Sequence, residues 1–163
     1  MRTLILLRHG KSDYPTGVSD HDRPLAPRGI RESALAGDWL RAHAPRIDAV
    51  LCSTATRTRQ TLARTGIDAP VTFVDRLYDS SPGIVLAEIN EVAEDIGTLL
   101  VVGHEPVLSA LALGLAGQAS SAEAVETIEQ KFPTSAIAVL QVQTPWSALE
   151  LGGAQLVTVH VPR

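Results

Sequence analysis

Five side chains suited to phosphate chemistry follow the ends of apolar segments in this 163-residue sequence. Arg8 and His9 follow the first segment, Arg57 follows the second, and His104 and Glu105 follow the fourth. An arginine fork binds phosphoryl oxygens through charge-assisted hydrogen bonds, and a neutral imidazole nitrogen attacks phosphorus to form a covalent intermediate. Neighbouring arginine charges disfavour ring protonation and therefore lower the pKa of His9. The pattern indicates phosphoryl transfer through a histidine.

The apolar segments predict strands that alternate with helices. Predicted strands cover residues 3–7, 47–52, 71–74 and 98–102, and predicted helices cover 27–44, 82–97 and 106–115. Another helix is predicted between a cap at Ser53 or Thr54 and its end at Gly66. The segments 135–142 and 155–161 alternate like strands, after a polar stretch over 118–131. Residues 10–27 read as a long loop of the kind that is kept for function.

This order of elements predicts an α/β fold, a three-layer α/β/α sandwich in one domain over residues 1–163. The central sheet is expected to be mainly parallel, with a late antiparallel strand. In such a sheet, ligands bind beyond the carboxyl ends of the strands. Taken singly, each candidate residue is compatible with a solvated side chain. Their convergence from three segments on one sheet edge favours an anion site, and a phosphoryl group is its simplest occupant.

Composition narrows the classes of protein. The sequence is 45% hydrophobic and 20% charged, which excludes a disordered chain. A net charge of −4 disfavours a sequence-independent nucleic-acid binder. Cys52 is the one cysteine, so no disulfide framework exists and a reducing compartment is indicated. No apolar run approaches the roughly 20 residues of a membrane span, and we expect a cytoplasmic protein.

Three ordered elements resemble the histidine phosphatase superfamily, also called phosphoglycerate-mutase-like. They are Arg8-His9-Gly10, Ser53-x-x-x-Arg57 with Gln60-Thr61 behind it, and Gly103-His104-x-Pro106. Further segments resemble the SixA-type phosphohistidine phosphatases, namely Asp22-Arg23-Pro24-Leu25 with Gly29 following and Thr134-Ser135-Ala136-Ile137 before a late strand. The similarity spans nearly the whole chain.

The resemblance implies that His9 is the phosphorylated nucleophile. It also implies that Arg8, Arg57 and His104 bind the phosphoryl oxygens. Gly10 lets the backbone bend closely around the site. Four residues that follow His9 or lie in the loop, Gly10, Lys11, Ser12 and Arg23, are candidates for substrate binding. The alternative for Lys11 and Ser12 is a solvated loop, and the alternative for Arg23 is a charge paired with Asp20 or Asp22.

Glu105 is the candidate general acid, because a carboxylate beside the second histidine resembles the acid-phosphatase branch of the superfamily. The alternative is a first-turn helix carboxylate favoured by the helix dipole. Asp79 and Glu88 are weaker substitutes. No metal site or cofactor is expected. Only four residues separate Cys52 from Arg57, whereas the loop of the cysteine phosphatases needs five.

The sequence thus predicts a metal-independent phosphatase that acts through a phosphohistidine intermediate. Its expected substrate is a protein carrying phosphohistidine, in signalling or a phosphorelay, with phosphate ion bound in the site during turnover. Only residues 58–102 lie between Arg57 and Gly103, which leaves no room for a large cap over a small metabolite. A small-molecule phosphomonoesterase is the alternative. A non-catalytic phosphoprotein-binding module and a mutase are the weaker ones.

Overall fold

A six-stranded sheet with five helices organises the chain, and the computed structural model describes residues 1–163. The strands are β1 (Arg2–Arg8), β2 (Ala49–Ser53), β3 (Val71–Val74), β4 (Thr98–Gly103), β5 (Ile137–Val142) and β6 (Ala154–His160). The helices are α1 (Pro27–His43), α2 (Thr56–Thr65), α3 (Pro82–Asn90), α4 (Val107–Leu115) and α5 (Ala122–Gln130). None of these helices combines the length and the apolarity that crossing a bilayer requires.

The strand order is β3-β2-β4-β1-β5-β6. The neighbours β3, β2, β4 and β1 pair in parallel, whereas β5 pairs antiparallel with both β1 and β6. The mainly parallel sheet and its late antiparallel strand are therefore confirmed. Arg8 is the register partner of Gly103, so the residues that follow β1 and β4 leave the sheet side by side.

Both faces of the central strands β1 and β4 are buried, which explains why these strands are continuous apolar runs in the sequence. In β1, Leu4 and Leu6 belong to the larger core cluster, together with residues of α3, α4 and α5. Ile5 and Leu7 point to the opposite face and pack with residues of α1 and α2. Helices on both faces confirm the three layers.

Two details near α2 and α3 differ from the sequence prediction. Neither Ser53 nor Thr54 caps α2, because the hydroxyl of Ser53 lies 2.8 Å from His104 Nε2 and that of Thr54 lies 3.1 Å from His21 Nε2. The apolar helical period continues to Ile96, yet α3 ends at Asn90. The Asn90 amide donates instead to the carbonyls of Trp146 and Leu149, at 2.7 and 3.0 Å.

Helix α5 occupies the polar stretch that showed no element in the sequence. Ser121 caps it by accepting a hydrogen bond from the backbone N–H of Ala124 at 3.1 Å. Ala124 and Ile128 are the buried residues of α5, so its apolar stripe is narrow. A stripe of two side chains in a glutamate-rich segment gives little periodic signal.

The loop after β1 passes very close to the start of α1. A Cβ on Gly10 would stand 2.8 Å from Ser33 Oγ and 2.9 Å from the Gly29 carbonyl, and one on Gly29 would stand 2.1 Å from the Lys11 carbonyl. Close approach of two backbones therefore explains both glycines. The contact holds the residues after His9 against the first turn of α1.

Candidate active site

His9 lies just beyond β1, and its ring presents one free nitrogen. The residue is 8% exposed, and its Nδ1 is 2.7 Å from the carbonyl oxygen of Gly10. A carbonyl only accepts, so Nδ1 carries the hydrogen and Nε2 carries the lone pair. The backbone N–H of His9 donates to Gly103, and its carbonyl accepts from Ser135, each at 3.0 Å. The ring is therefore fixed in the tautomer that makes Nε2 the nucleophilic atom.

The pKa of His9 is lowered to about 3, mainly by burial. The hydrogen bond to Gly10 raises it, whereas His104, Arg57 and Arg8 lower it further. The sequence predicted correctly that the pKa of His9 is lowered. It attributed the shift to the neighbouring arginines, whose effect is smaller than that of burial. His9 is thus neutral at pH 7 and its Nε2 lone pair is available.

His104 follows β4 and stands beside His9, with the two ring centroids 5.3 Å apart. Its Nε2 shares a hydrogen bond of 2.8 Å with the hydroxyl of Ser53, at the end of β2. Burial is the largest cause that lowers the pKa of His104 to about 4, followed by Arg57. Adjacent strand ends therefore hold two neutral imidazoles together.

Arg8 is the last residue of β1, and its guanidinium is partly committed to the backbone. Nη1 donates to the carbonyl of Phe132 at 3.1 Å, while the buried Nε has no hydrogen-bond partner. Burial lowers the pKa of Arg8, and Glu105 opposes this by raising it. A buried N–H without a partner is costly.

Arg57, in the first turn of α2, is buried and pairs with Asp20 of the loop. Nη1 donates to the Asp20 carbonyl at 2.7 Å and Nη2 to its carboxylate at 3.2 Å. The hydroxyl of Tyr78 and Nη1 of Arg23 donate to the same carboxylate. Hydrogen bonds from Tyr78 and then Arg23 hold the pKa of Asp20 well below its ordinary value, and the same contact raises the pKa of Tyr78.

Arg23 both lines the site and pairs with Asp20, so its two sequence interpretations hold together. It pairs with Asp20 at 2.8 Å, and it also lines the site, where its Nη2 donates to the hydroxyl of Ser12. Its guanidinium lies 3.7 Å from the centre of the Tyr14 ring. Ser12 is buried rather than solvated, whereas Lys11 is exposed at the rim of the same cavity.

Two small cavities share His9 and Arg57. One, of about 190 Å³, is lined by His9, Asp20, Arg57, Tyr78, Asp79, His104 and Glu105. The other, of about 180 Å³, is lined by Arg8, His9, Lys11, Ser12, Tyr14, Arg23, Arg57 and Thr134. All the predicted catalytic residues thus meet at one edge of the sheet. Gly10 lies behind them, where its N–H donates to the hydroxyl of Thr61 at 2.9 Å.

Glu105 lines the first cavity, but both of its oxygens are engaged by α4. Oε1 accepts from the backbone N–H of Ser109 at 2.6 Å, and Oε2 accepts from the Ser109 hydroxyl at 2.7 Å. Glu105 lies two residues before α4 rather than in its first turn, but its carboxylate accepts at the helix N-terminus as the alternative interpretation expects. Of its weaker substitutes, Asp79 lines the same cavity, while Glu88 pairs with Arg76 at 3.0 Å and lies outside both cavities.

Sequence reasoning did not assign Asp20 and Tyr78 to the site. Asp20 entered only as a partner for Arg23, although its spacing of three residues from that arginine was a usable signal. Tyr78 follows β3 and packs edge-on against His104, with centroids 5.6 Å apart. A lone tyrosine after a short edge strand carries no sequence signal. No group of three or more His, Cys, Asp or Glu side chains in the structure could hold a metal ion.

Comparisons with known proteins agree with this geometry. A model of the histidine phosphatase superfamily (branch 1) matches residues 4–96. An uncharacterized protein of Mycobacterium tuberculosis is 62% identical over 158 residues, which is 96% of this chain and all of that protein.

Two solved structures share the fold. One from Nakamurella multipartitia, described as a candidate phosphohistidine phosphatase SixA, has a TM-score of 0.91 at 43% identity, covering 99% of this chain and 96% of that chain. The protein histidine phosphatase SixA complexed with tungstate has a TM-score of 0.79 at 25% identity, covering 98% and 97%. These matches confirm the resemblance drawn from the ordered motifs.

Proposed function

Because the chain belongs to the histidine phosphatase superfamily, we propose that it removes phosphoryl groups from phosphohistidine in proteins, using His9 and no metal ion. Membership of this superfamily and the SixA-like structures support phosphatase activity. The SixA complex with tungstate, a tetrahedral oxyanion like phosphate, supports phosphate binding in this fold. The substrate class and the role of each residue are the proposed part.

The free Nε2 of His9 is the observation that carries the proposal. It combines a fixed tautomer, a neutral ring and a position between Arg8 and Arg57 at the meeting point of two cavities. Histidine nitrogen is a competent nucleophile toward phosphorus when its lone pair is free. The arginines neutralise charge on the phosphoryl oxygens in the transition state.

The proposed reaction has two displacements at phosphorus. In the first, Nε2 of His9 forms a bond to phosphorus, the bond from phosphorus to the substrate imidazole breaks, and that nitrogen leaves with the electron pair and takes a proton from water. In the second, a water oxygen attacks phosphorus, the bond to Nε2 breaks and returns its electron pair to His9, and the attacking water gives to solvent a proton that replaces the one taken in the first step. One water is consumed, and phosphate is released.

Two of the three carboxylates that line the cavity, Asp20 and Glu105, are engaged by hydrogen bonds, which favours a substrate whose leaving group needs little acid catalysis. Asp20 is held ionised by its hydrogen bonds, and both oxygens of Glu105 accept hydrogen bonds from Ser109. An alkyl phosphate must expel an alkoxide unless an acid protonates it. A leaving imidazole has a pKa of about 6.5 and takes its proton from water.

The rim of the site favours a macromolecular substrate. Tyr14 is 72% exposed and Lys11 is also exposed, and both line the cavity beside Arg8. Between α2 and β4, the residues that line the site are Tyr78 and Asp79, and they line the other cavity rather than this rim. A phosphohistidine on the surface of another protein can therefore reach Nε2 without entering an enclosed pocket.

A paired assay tests the proposal. Wild type is assayed on a phosphohistidine protein and on a panel of alkyl and acid phosphates, and Glu105→Gln is assayed on the same substrates. We expect a preference for the phosphohistidine protein, and a loss of less than about ten-fold for Glu105→Gln on it. On an alkyl phosphate that the enzyme accepts, the loss is on the order of 10²–10⁴-fold if Glu105 is the acid.

Ser109→Ala is the matched control, because it removes the hydroxyl that donates to Glu105 and keeps both the carboxyl group and the backbone N–H that donates to it. If both variants lose the same activity on every substrate, Glu105 acts by holding the start of α4 and not as the general acid. A strong preference of the wild type for a small phosphate ester would overturn the substrate assignment in favour of the phosphomonoesterase. Loss of activity in chelator, restored by a divalent metal, would contradict the metal-independent mechanism.

A further inference from the structure

The carboxylate of Asp20 engages a guanidinium that the proposed reaction needs. Nη2 of Arg57 donates to it at 3.2 Å, and the cavity that contains this contact also contains His9 and His104. A phosphoryl group would compete for the same N–H groups, because a carboxylate and a phosphate are both bound by the arginine fork. We propose that Asp20 is a built-in competitor that weakens the binding of free phosphate and so speeds its release. This inference rests on the proposed function.

The carboxylate is not needed to keep Arg57 in place. Nη1 of Arg57 donates to the backbone carbonyl of Asp20 at 2.7 Å, and this bond does not involve the side chain. That carbonyl also accepts from the backbone N–H of Arg23 at 3.2 Å, which fixes its direction within the turn. Arg57 therefore keeps its shorter contact when the Asp20 side chain changes.

Arg57 is buried and Asp20 is half-exposed, as expected for a contact in which the carboxylate can be displaced from the guanidinium. The side chain of Arg57 is 9% exposed, whereas that of Asp20 is 53% exposed. A half-exposed carboxylate regains water when it leaves the guanidinium, so the exchange costs little, as for surface ion pairs in general. A buried cation gains more from an incoming phosphoryl oxygen than an exposed one does.

The negative charge of Asp20 offsets part of the positive charge in the site. His9 and His104 are neutral at pH 7, so Arg8, Arg23 and Arg57 supply the positive charge that faces the two cavities, with Lys11 at the rim. Asp20 cancels one of these charges and repels an anion in the same cavity. Its contacts with Tyr78 and Arg23 keep it ionised, so it does not act as a proton donor.

Asp20→Asn tests this role, with Asp22→Asn as the matched control. Asp22 lies on the same turn, and its carboxylate contacts Ser19 and His21 but not Arg57. Binding of inorganic phosphate is measured by titration calorimetry at pH 7. We expect Asp20→Asn to lower the Kd by roughly five- to ten-fold, and Asp22→Asn to change it by less than about two-fold. Product inhibition by phosphate should strengthen in parallel.

Asp20→Ala is included because the amide of asparagine could itself donate to phosphate. It should tighten phosphate binding as well, and circular dichroism confirms that each variant is folded. If wild type binds phosphate and both Asp20 variants show an unchanged or larger Kd, Asp20 does not compete with phosphate. The proposed function would remain intact. If wild type and all variants fail to bind phosphate, the proposed function fails together with the inference.

Discussion

The site consists of two groups of residues that are held in different ways. The strand-end group comprises Arg8, His9, Arg57 and His104, which are buried or partly buried at the carboxyl ends of the parallel strands or at the helix that follows one of them. The loop group comprises Asp20, Tyr78 and Glu105. Tyr78 and Arg57 donate to Asp20, and Ser109 donates to Glu105. In the first group, Arg8, His9 and Arg57 bond to backbone carbonyls, and His104 bonds to the hydroxyl of Ser53. We assign this group to phosphoryl transfer. The second group is more exposed, and we assign it to substrate choice and product release.

Replacing His9 should produce the largest effect and breaks the strand-end group at its centre. His9→Ala removes the attacking nitrogen, so turnover should fall on the order of 10⁴-fold or more while the chain still folds. Steady-state kinetics and thermal unfolding measure the two quantities. His43→Ala, on the exposed surface of α1, is the control and should retain full activity. Substantial turnover by folded His9→Ala would exclude His9 as the nucleophile.

Replacing Arg57 tests whether its position in the cavities, rather than its charge alone, supports catalysis by the strand-end group. A charge-assisted hydrogen bond contributes about 1.5–3 kcal/mol, so Arg57→Ala should lower kcat/KM by roughly ten-fold or more. Arg59→Ala removes the same charge from the same helix, where Arg59 lies 4.3 Å from the centre of the Phe73 ring. It should have little effect on kcat/KM. Similar, small losses in both variants would remove Arg57 from the site.

The buried histidines should also make stability depend on pH. Their pKa values are about 3 and about 4 in the folded protein, below the unfolded value, so the unfolded chain binds more protons as the pH falls. The free energy of unfolding should therefore decrease between pH 7 and pH 5, by about 2 kcal/mol for each ring. Urea unfolding at both pH values measures this.

His9→Gln and His104→Gln should each reduce that dependence, because each removes one titrating ring. His21→Gln is the control, since it removes an imidazole whose side chain is 40% exposed. The same slope of stability against pH in wild type and in both buried-ring variants would show that neither ring is held neutral by folding.

The same difference between the two groups explains what the sequence could predict. Arg8, His9 and His104 follow apolar runs, and strand ends in a parallel sheet meet at one edge, so their convergence could be predicted. The contact of Asp20 with Tyr78 joins residues 58 positions apart in two loops, and no periodicity or spacing rule reports such a contact. Helix α5 was missed for a related reason, because two buried side chains leave almost no pattern.

The tautomer of His9 leads to the most direct test of the proposed mechanism. Wild type is mixed with a phosphohistidine protein, quenched in alkali within the first turnover, and digested, and the phosphorylated nitrogen is then identified by mass spectrometry and NMR. Because Nδ1 donates to the Gly10 carbonyl, the label should be on Nε2 of His9. A phosphoryl group on Nδ1, on Ser53, on Cys52 or on any other residue would contradict the proposed mechanism.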